Sequence, residues 1–362
     1  MEAKVFSHDV SDVRISVAMA TYNGEKYIEE QLRSICCQTR KPDEIVISDD
    51  GSKDATLEIV KQVAKSEDAQ GIDFVVLTDN PRHGYCGNFE WAIKHTTGDY
   101  VFLSDQDDIW REDKVIQTIL VVQKHPDAQC ICHNAQLVGK QGEPLDGIFD
   151  DRFRHEKLNI LQGRSVKIDR ESFLADTVSW GGIHGMSMCI SRQLIVDMLP
   201  FPLTKGSHDK WITLCAVLND AMYFLNAPLA YYRLHGNNTC GNSAYRGNVL
   251  DRVKKKWKNL KSNKGDYTTN YIMGIAIRDR LISRGYGDHP ACITANRLIE
   301  IGKKTYDAET SGRITGAIKL IKLFCTDIRY RRSGSGAFIQ QLVYIIRNSK
   351  KQRIENAGGG IK

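Results

Sequence analysis

Three carboxylates follow an apolar run in the segment YVFLSDQDDIW, residues 100–110. They belong to Asp105, Asp107 and Asp108. Carboxylate oxygens are the ligands that Mg²⁺ and Mn²⁺ prefer, and Mg²⁺ is commonly held by one or two carboxylates together with substrate phosphates. A solvated turn that ends a strand and leads into a helix explains the same residues without a metal. The spacing alone therefore leaves a metal site and a simple turn both open.

Short apolar strands alternate with helical patterns through the first third of the chain. We predict strands at 14–20, 44–50, 73–80 and 100–108, and apolar residues recur at helical spacing between them. This alternation predicts a parallel, doubly wound α/β sheet. Because ligands of such sheets bind outside the carboxyl ends of the strands, the polar residues that end each strand should meet at one edge. No Walker A or GxGxxG sequence is present, which disfavours a P-loop or a dinucleotide site.

Four motifs follow these strands in order: TYNGE, SDDGSKD, NPRHGYCGN and SDQDDIW. Two more, HDKW at 208–211 and YRLHGNN at 232–238, lie downstream. Together they resemble the inverting family-2 glycosyltransferases of the GT-A fold, and within them the rhamnosyltransferase-like branch that builds bacterial polysaccharides. The sequence departs from that branch at Lys210, where many members carry a bulky or aromatic residue. One extra residue also precedes Gly84.

The resemblance implies an α/β fold of the GT-A (Rossmann-like) class for a nucleotide-diphospho-sugar transferase. The catalytic domain would cover residues 1–240, with a nucleotide-sugar half at about 14–125 and an acceptor half at about 126–240. Residues 241–362 are covered only loosely and are predicted to form a basic, mainly helical C-terminal extension.

The resemblance also places the donor against the first four strand ends. Tyr22 would stack on a pyrimidine in a pocket lined by Thr21, and Asp50, together with Asp49, would accept the N3–H of the base. A tight turn with a helix cap explains the two aspartates equally well. The complete set of predicted nucleotide-sugar contacts is Thr21, Tyr22, Asn23, Glu25, Asp49, Asp50, Asn80, Arg82, Asn88, Asp105, Gln106 and Asp107.

The metal and the general base are implied in the same way. Asp107 would be the principal ligand of Mn²⁺ or Mg²⁺, with Asp105, Asp108 and the late His235 as further ligands. The metal would bridge the diphosphate and neutralise charge on the leaving nucleotide. Inversion by direct displacement needs a general base, and Asp209 matches that position. Its carboxylate also suits the N-terminal cap of a helix.

Acceptor contacts are implied for Gly185, His208 and Trp211. Gly185 resembles the small residue below the acceptor, and the Trp211 ring either offers a face to a sugar or packs. The segment 139–180 carries no readable motif and is predicted to shape acceptor choice.

Charge is divided unevenly along the chain. Residues 1–240 hold 25 Lys and Arg against 35 Asp and Glu, whereas residues 241–362 hold 25 against 9. The segment 252–264 alone has seven basic residues around Trp257. Three interpretations stay open: a helical appendage packed on the catalytic domain, a surface for anionic lipid, or nucleic-acid binding. No recognised nucleic-acid module is visible, so a nucleic-acid partner is not expected.

The predicted location is cytoplasmic, with a peripheral association to the inner face of the plasma membrane. The ten cysteines form no CxxC pair, which favours free thiols in a reducing compartment. The first residues do not resemble a signal peptide, and no apolar run approaches the roughly 20 residues that cross a bilayer.

The sequence thus predicts an inverting, metal-dependent hexosyl- or rhamnosyltransferase. The donor would be dTDP-rhamnose or a UDP-hexose, and the acceptor a glycan or lipid-linked sugar in bacterial surface polysaccharide synthesis. A nucleotidyltransferase on a similar sheet is a rival, disfavoured because no glycine-rich basic loop lies near the N-terminus. A non-catalytic sugar- or lipid-binding scaffold is another, against which intact Asp107, Asp209 and His235 argue. The sugar, acceptor, linkage and oligomeric state stay open.

Overall fold

A computed structural model describes residues 13–149, 162–171, 173–174, 183–202, 208–235 and 267–310, and residues 315, 318, 319 and 321. Elements are numbered within these described residues. The chain divides into two compact units, Met1–Ala244 and Tyr245–Lys362. The roles assigned above to residues 1–240 and 241–362 stay predictions.

The first four strands form a parallel group within one sheet. They are β1 (Ile15–Thr21), β2 (Glu44–Asp49), β3 (Asp73–Leu77) and β4 (Tyr100–Ser104). Their order is β3-β2-β1-β4, and each neighbouring pair is parallel. Because β4 ends at Ser104, the three carboxylates of SDQDD lie in the loop beyond the strand rather than within it.

Four helices connect or follow these strands: α1 (Ile28–Cys36), α2 (Thr56–Ala64), α3 (Tyr85–His95) and α4 (Lys114–Lys124). In α1, Ile28, Leu32 and Ile35 recur every three to four residues and are fully buried, so one apolar face packs on the sheet core. Burying each such side chain contributes about 1.5–3 kcal/mol. Helix α3 begins after Gly84, whose φ of 95° is readily adopted only by glycine.

The rest of the sheet is mixed, which corrects the expectation of a wholly parallel sheet. The sheet has ten strands in the order β3-β2-β1-β4-β9-β6-β10-β5, with β7 paired to β6 and β8 paired to β10. Strand β9 is antiparallel to both β4 and β6, whereas β6 and β10 are parallel. The additional strands are β5 (Ile109–Trp110), β6 (Cys130–Val138), β7 (Pro144–Phe149), β8 (Ser165–Lys167), β9 (Met188–Ser191) and β10 (Met222–Arg233).

Two further helices and a short turn follow in this unit. Helix α5 spans Arg192–Met198, α6 spans His208–Leu218, and a 3₁₀ turn at Gly185–Ser187 precedes β9. Helix α6 is buried along almost its whole length, which leaves its first residues beside the sheet edge as its accessible part.

The second unit contains a helical hairpin, α7 (Tyr267–Ser283) and α8 (Pro290–Thr310). Glycines bring the two helices close together. A Cβ at Gly274 would lie 3.0 Å from Ile299 Cγ1, and one at Gly302 would lie 2.8 Å from Tyr271 Cβ. The basic segment 252–264 and the apolar segment 337–348 lie outside the described residues. None of the helices in the described ranges is long and apolar enough to cross a membrane.

Candidate active site

A cleft of about 830 Å³ opens at the carboxyl ends of β1, β2 and β4. The loops after β1 to β4, the turn after β6 and the end of β10 supply its walls. Ten of the predicted site residues line it: Thr21, Tyr22, Asn23, Glu25, Asp50, Asn88, Asp105, Gln106, Asp107 and His235. Residues that are far apart in the sequence are therefore brought to one edge of the sheet.

The two aspartates at the end of β2 have different environments. Asp49 is buried, and its carboxylate accepts hydrogen bonds from Thr21 Oγ1 at 2.8 Å and from the backbone and hydroxyl of Ser52 at 2.8 and 2.6 Å. It does not line the cleft, so the base contact predicted for it is not supported, and its carboxylate instead holds the turn. The carboxylate of Asp50 does line the cleft, where Gly84 N donates to it at 2.8 Å and His83 Nδ1 lies 2.6 Å away.

The loop after β1 is fastened to the loop after β4. Gln106 Oε1 accepts from Tyr22 N at 2.9 Å, and Gln106 Nε2 donates to Tyr22 O at 3.0 Å. A Cβ at Gly24 would come within 2.3 Å of Gln106 Oε1, so a larger residue would push the Gln106 amide from this position. The Tyr22 ring is left 56% exposed at the mouth of the cleft, which suits stacking on a planar ligand.

Asn23 and Glu25 fasten the same loop to the turn before α2. The Asn23 side chain accepts from Lys53 N at 2.8 Å, and Glu25 Oε2 accepts from Ala55 N at 3.1 Å. Asn23 has a φ of 48°, a left-handed conformation that asparagine tolerates better than most residues. Both side chains shape the wall of the cleft through these contacts.

Several polar side chains in and after the loop that follows β3 bind other parts of the protein. Asn88 Nδ2 donates to Thr21 O at 3.1 Å, and Asn80 Oδ1 accepts from Arg82 N at 2.9 Å. The Arg82 guanidinium pairs with Glu90 at 2.5 Å and donates to a backbone carbonyl at 3.3 Å. Asn80 and Arg82 are not among the residues that line the cleft, so the donor contacts predicted for them are not supported.

One polar contact of the cleft joins the carboxylate motif to the residues that follow β10. His235 Nε2 lies 2.7 Å from Asp107 Oδ2, and the two side chains are 7% and 21% exposed. The Tyr27 ring stacks on the imidazole, with centroids 4.8 Å apart and an angle of 27° between planes. The predicted ligands Asp107 and His235 are therefore neighbours.

Arg233 holds this contact in place, although the sequence analysis assigned no role to it. Its side chain is 2% exposed. Its backbone N donates to Asp108 Oδ1 at 3.1 Å, its Nε donates to Asp107 O at 3.0 Å, and one terminal nitrogen donates to Glu30 Oε2 at 2.6 Å. The guanidinium also lies 5.2 Å from the centre of the Tyr27 ring. It was recognisable only as part of the YRLHGNN motif.

The carboxyl groups of Asp105 and Asp108 are buried and feel the negative charges of other acidic side chains. Burial, and then the charges of Asp107 and Asp209, raises the pKa of Asp105 to about 7. Burial, and then the charges of Asp107 and Asp105, raises the pKa of Asp108 well above its usual range. Asp108 Oδ2 is buried and has no hydrogen-bond partner among the described residues. A cation at this site would stabilise the charged carboxylates.

The four predicted metal ligands do not form one cluster. Across the described ranges, no group of three or more His, Cys, Asp or Glu side chains is arranged to hold a metal ion. Asp107 and His235 alone are in contact. Their 2.7 Å separation is close to the roughly 2.9 Å between adjacent octahedral donors at Mg²⁺ distances. These two residues therefore fit a divalent cation whose other ligands come from a substrate or water.

The predicted base lies beside this carboxylate group. Asp209 is the second residue of α6, and Lys210 N donates to its Oδ1 at 2.7 Å. Its charge is among the causes that raise the pKa of Asp105, which lines the cleft, whereas Asp209 itself is not among the residues that line it. The backbone hydrogen bond orients the carboxylate.

The three predicted acceptor residues are buried. The His208 ring stacks on Phe89 at 4.3 Å, and a Cβ at Gly185 would lie 2.6 Å from His208 Nε2. Trp211 is 7% exposed and its Nε1 donates to Met198 O at 2.9 Å. Trp211 therefore packs, and the expectation of a sugar-binding face is not supported. Because Gly185 has no side chain, it leaves room for the imidazole of His208.

Residues 16–175 match the family described as Glycosyl transferase family 2. The chain carries a glycosyl transferase family 2 domain. The predicted relation to glycosyl transferase family 2 and the predicted GT-A class of α/β fold are thereby confirmed, with the mixed sheet as described above.

The glycosyltransferase domain has named relatives. The chain is 28% identical over 253 residues to the dTDP-rhamnosyl transferase RfbG of Shigella flexneri, in an alignment that covers 66% of this chain and 80% of RfbG. It is 29% identical over 222 residues to the glycosyltransferase TuaG of Bacillus subtilis, named for teichuronic acid biosynthesis, which covers 54% of this chain and 82% of TuaG. The crystal structure of S. aureus TarS 1–349 with UDP aligns at a TM-score of 0.47 and 16% identity, covering 94% of this chain and 92% of that one.

Lys114 is a second residue of the glycosyltransferase domain that the motifs did not indicate. It begins α4, its side chain is fully buried, and its Nζ donates to Met186 O at 2.8 Å. The ammonium also lies 3.9 Å from the centre of the Trp110 ring. Burial lowers the pKa of Lys114 to about 7, although the negative charges of Asp108 and Asp105 act to raise it. In the sequence, the available signal was a lysine four residues after the Trp of SDQDDIW.

Proposed function

We propose that the chain is an inverting, metal-dependent glycosyltransferase. It moves a sugar from a nucleotide-diphospho-sugar to a glycan or lipid-linked acceptor in bacterial surface polysaccharide synthesis. The observation that carries the proposal is the contact between Asp107 and His235, set in the cleft of a glycosyl transferase family 2 domain.

The charge of the cleft supports metal dependence. Two lysines and five carboxylates line it, the carboxylates being those of Glu25, Asp50, Asp54, Asp105 and Asp107. Such a surface repels a diphosphate, and the repulsion is strong where the dielectric constant is low. Asp107 and His235 would hold Mn²⁺ or Mg²⁺, which supplies the positive charge that stabilises the leaving nucleoside diphosphate.

The donor would lie along the loops after β1 and β2. Tyr22 stacks on the base, and Asp50 accepts the N3–H that both uracil and thymine offer. Neither contact separates UDP from dTDP donors. The likeness to RfbG, a dTDP-rhamnosyl transferase by name, supports dTDP-rhamnose as the first donor to test, with UDP-hexoses as the second group. The likeness to TuaG supports a polysaccharide as the product.

Asp209 would be the general base. The acceptor oxygen forms a bond to the anomeric carbon while the bond from that carbon to the diphosphate oxygen breaks, and the hydroxyl proton passes to the Asp209 carboxylate. Arrival of the acceptor on the face opposite the leaving group inverts the anomeric configuration. The charge of Asp209 reaches Asp105, a residue that lines the cleft, which supports this role because the base must lie near the donor.

The basic segment 252–264 would bring the enzyme to an anionic membrane surface on the cytoplasmic side, where lipid-linked acceptors are found. Each basic residue near such a surface adds about 1 kcal/mol, and the attraction falls off within a Debye length. Flotation with anionic vesicles should show binding at low salt that is lost at high salt. Replacing Lys254, Lys255, Lys256 and Lys258 with Gln should weaken it, and absence of low-salt binding would remove the membrane role.

Product analysis tests the proposed function. Purified protein with Mn²⁺ is given dTDP-rhamnose or a UDP-hexose, and the released nucleotide is identified by chromatography. Free dTDP or UDP is expected. Pyrophosphate formed from a nucleoside triphosphate and a sugar phosphate would indicate a nucleotidyltransferase instead, and no release from any donor would indicate a binding scaffold.

A further inference from the structure

The turn between β6 and β7 brings a lysine to the cleft from outside every motif of the sequence. Gly139 N donates to Glu143 O at 2.7 Å, and Gly142, with a φ of 84°, donates from its N to Gly139 O at 3.1 Å. Lys140 lies within this tight turn, is exposed, and lines the same cleft as Asp107 and His235. The turn thus adds a cation to a wall that is otherwise rich in carboxylates.

Arg233 sets the position of this turn relative to the Asp107 and His235 contact. One terminal nitrogen of its guanidinium donates to Lys140 O at 3.2 Å, while Nε donates to Asp107 O at 3.0 Å. The site of a Cβ at Gly142 is 3.7 Å from the same guanidinium, so the turn packs directly on it. A single buried, planar side chain therefore fixes the backbone of Lys140 and the backbone of Asp107 together.

The charge of Lys140 is available to a ligand. Its ammonium forms no ion pair with any residue within the described ranges. The other lysine of the cleft, Lys26, belongs to the loop after β1 that carries Tyr22, and no contact links it to Arg233 in the described part of the chain. Lys140 is thus the lysine of the cleft whose backbone is fixed to the Asp107 motif.

We propose that Lys140 binds the diphosphate of the donor. Its ammonium donates to phosphate oxygens and offsets the charge that grows on the nucleoside diphosphate as the bond to the sugar breaks. An ammonium suits this task because charge-assisted hydrogen bonds to phosphate are about twice as strong as neutral ones. The inference rests on the proposed function, since it needs a diphosphate in this cleft.

Nucleotide binding by single variants tests the role. UDP and dTDP are titrated by calorimetry with Mn²⁺ present, and uridine and thymidine are followed by ligand-observed NMR. In Lys140→Gln, the Kd of the diphosphate should rise about tenfold or more, as expected for loss of a hydrogen bond between charged groups, and nucleoside affinity should be unchanged. Lys140→Arg, which keeps the charge, should restore most of the diphosphate affinity. Lys124→Gln removes an exposed lysine outside the cleft and should have no effect.

The outcomes separate the inference from the proposed function. Wild-type binding of UDP or dTDP with an unchanged Kd in Lys140→Gln would overturn the role of Lys140 and leave the proposed function intact. Equal losses of diphosphate and nucleoside affinity would also overturn it, because they indicate a disturbed cleft. Failure of the wild type to bind either diphosphate with Mn²⁺ would overturn both. Far-UV circular dichroism and thermal unfolding of each variant establish that the fold is retained.

Discussion

His235 Nε2 lies 2.7 Å from Asp107 Oδ2 across a sequence separation of 128 residues. The contact is made because β10 pairs in antiparallel register with β5, the two-residue strand that follows the carboxylate motif. Ala230 and Tyr231 of β10 are paired there with Trp110 and Ile109. The end of the sheet therefore determines which histidine reaches the carboxylates.

His235→Gln should weaken Mn²⁺ binding at least tenfold, because the amide is a poorer ligand than imidazole for this type of ion. Titration of Mn²⁺ followed by electron paramagnetic resonance measures the affinity directly. His95→Gln, at an exposed position on α3, is the matched control and should bind as the wild type does. An unchanged Mn²⁺ affinity in His235→Gln would remove this residue from the metal site.

Asp209→Asn should keep donor binding and lose transfer by roughly 10²-fold or more, the scale of general-base catalysis. The asparagine oxygen can still accept the hydrogen bond that Lys210 N now donates, so the fold should be little affected. Initial rates of nucleotide release with acceptor present, set against the Kd for the nucleotide, separate the two effects. Turnover close to that of the wild type would exclude Asp209 as the base.

The first four strands could be predicted because each is a short apolar run bounded by turn residues. Strands β6 and β9 are buried over nearly their whole length, so neither shows the alternation that marks a half-exposed strand. Nothing local in CICHNAQLV indicates that its partners are β9 on one side and β10 on the other. The mixed part of the sheet was missed for that reason.

The site residues, too, could be predicted where local sequence determines their position and could not where distant partners do. Residue type and strand-end position were enough to bring Tyr22, Asp50 and Asp107 to the cleft. They could not reveal that the Asp49 carboxylate is fully occupied by its own turn, or that Trp211 is buried in packing. Such outcomes depend on partners that are distant in sequence. Motif position alone carries no information about them.

Lys114→Met should lower the free energy of unfolding by about 1–3 kcal/mol. The variant leaves the carbonyl of Met186 without its donor and removes the buried positive charge near Asp105 and Asp108. Urea denaturation measures the change. Lys94→Met is the matched control, since Lys94 is exposed and lies 5.4 Å from the Trp91 ring, and its cost should stay under about 0.5 kcal/mol.

Equal losses in the two variants would contradict a special role for the buried ammonium. Because Met186 follows Gly185 directly, Lys114→Met should also raise KM for the acceptor more than KM for the donor. A fall in stability without any change in either KM would indicate that Lys114 stabilises the fold and has no role in substrate binding.

The adjacent thiols of Cys36 and Cys37 should react at very different rates. Cys36 is buried, and burial raises its pKa to about 11, whereas Cys37 is exposed. A thiol reacts as its thiolate, so at pH 8 iodoacetamide should modify Cys37 and leave Cys36 protonated and intact. Peptide mass spectrometry after brief labelling gives both yields, and labelling in urea is the control. Equal yields in the folded protein would contradict the burial of Cys36.

The central claim is that Asp107 and His235 form a divalent-cation site that holds a nucleoside diphosphate. Calorimetric titration of UDP and dTDP, with Mn²⁺ and with EDTA, measures it in the wild type, in Asp107→Ala and in the exposed control Asp288→Ala. We predict tight binding with Mn²⁺ in the wild type and in Asp288→Ala, and loss of that metal-dependent affinity in a folded Asp107→Ala. Nucleotide affinity that is the same with Mn²⁺ and with EDTA, or that Asp107→Ala leaves unchanged, would contradict the claim.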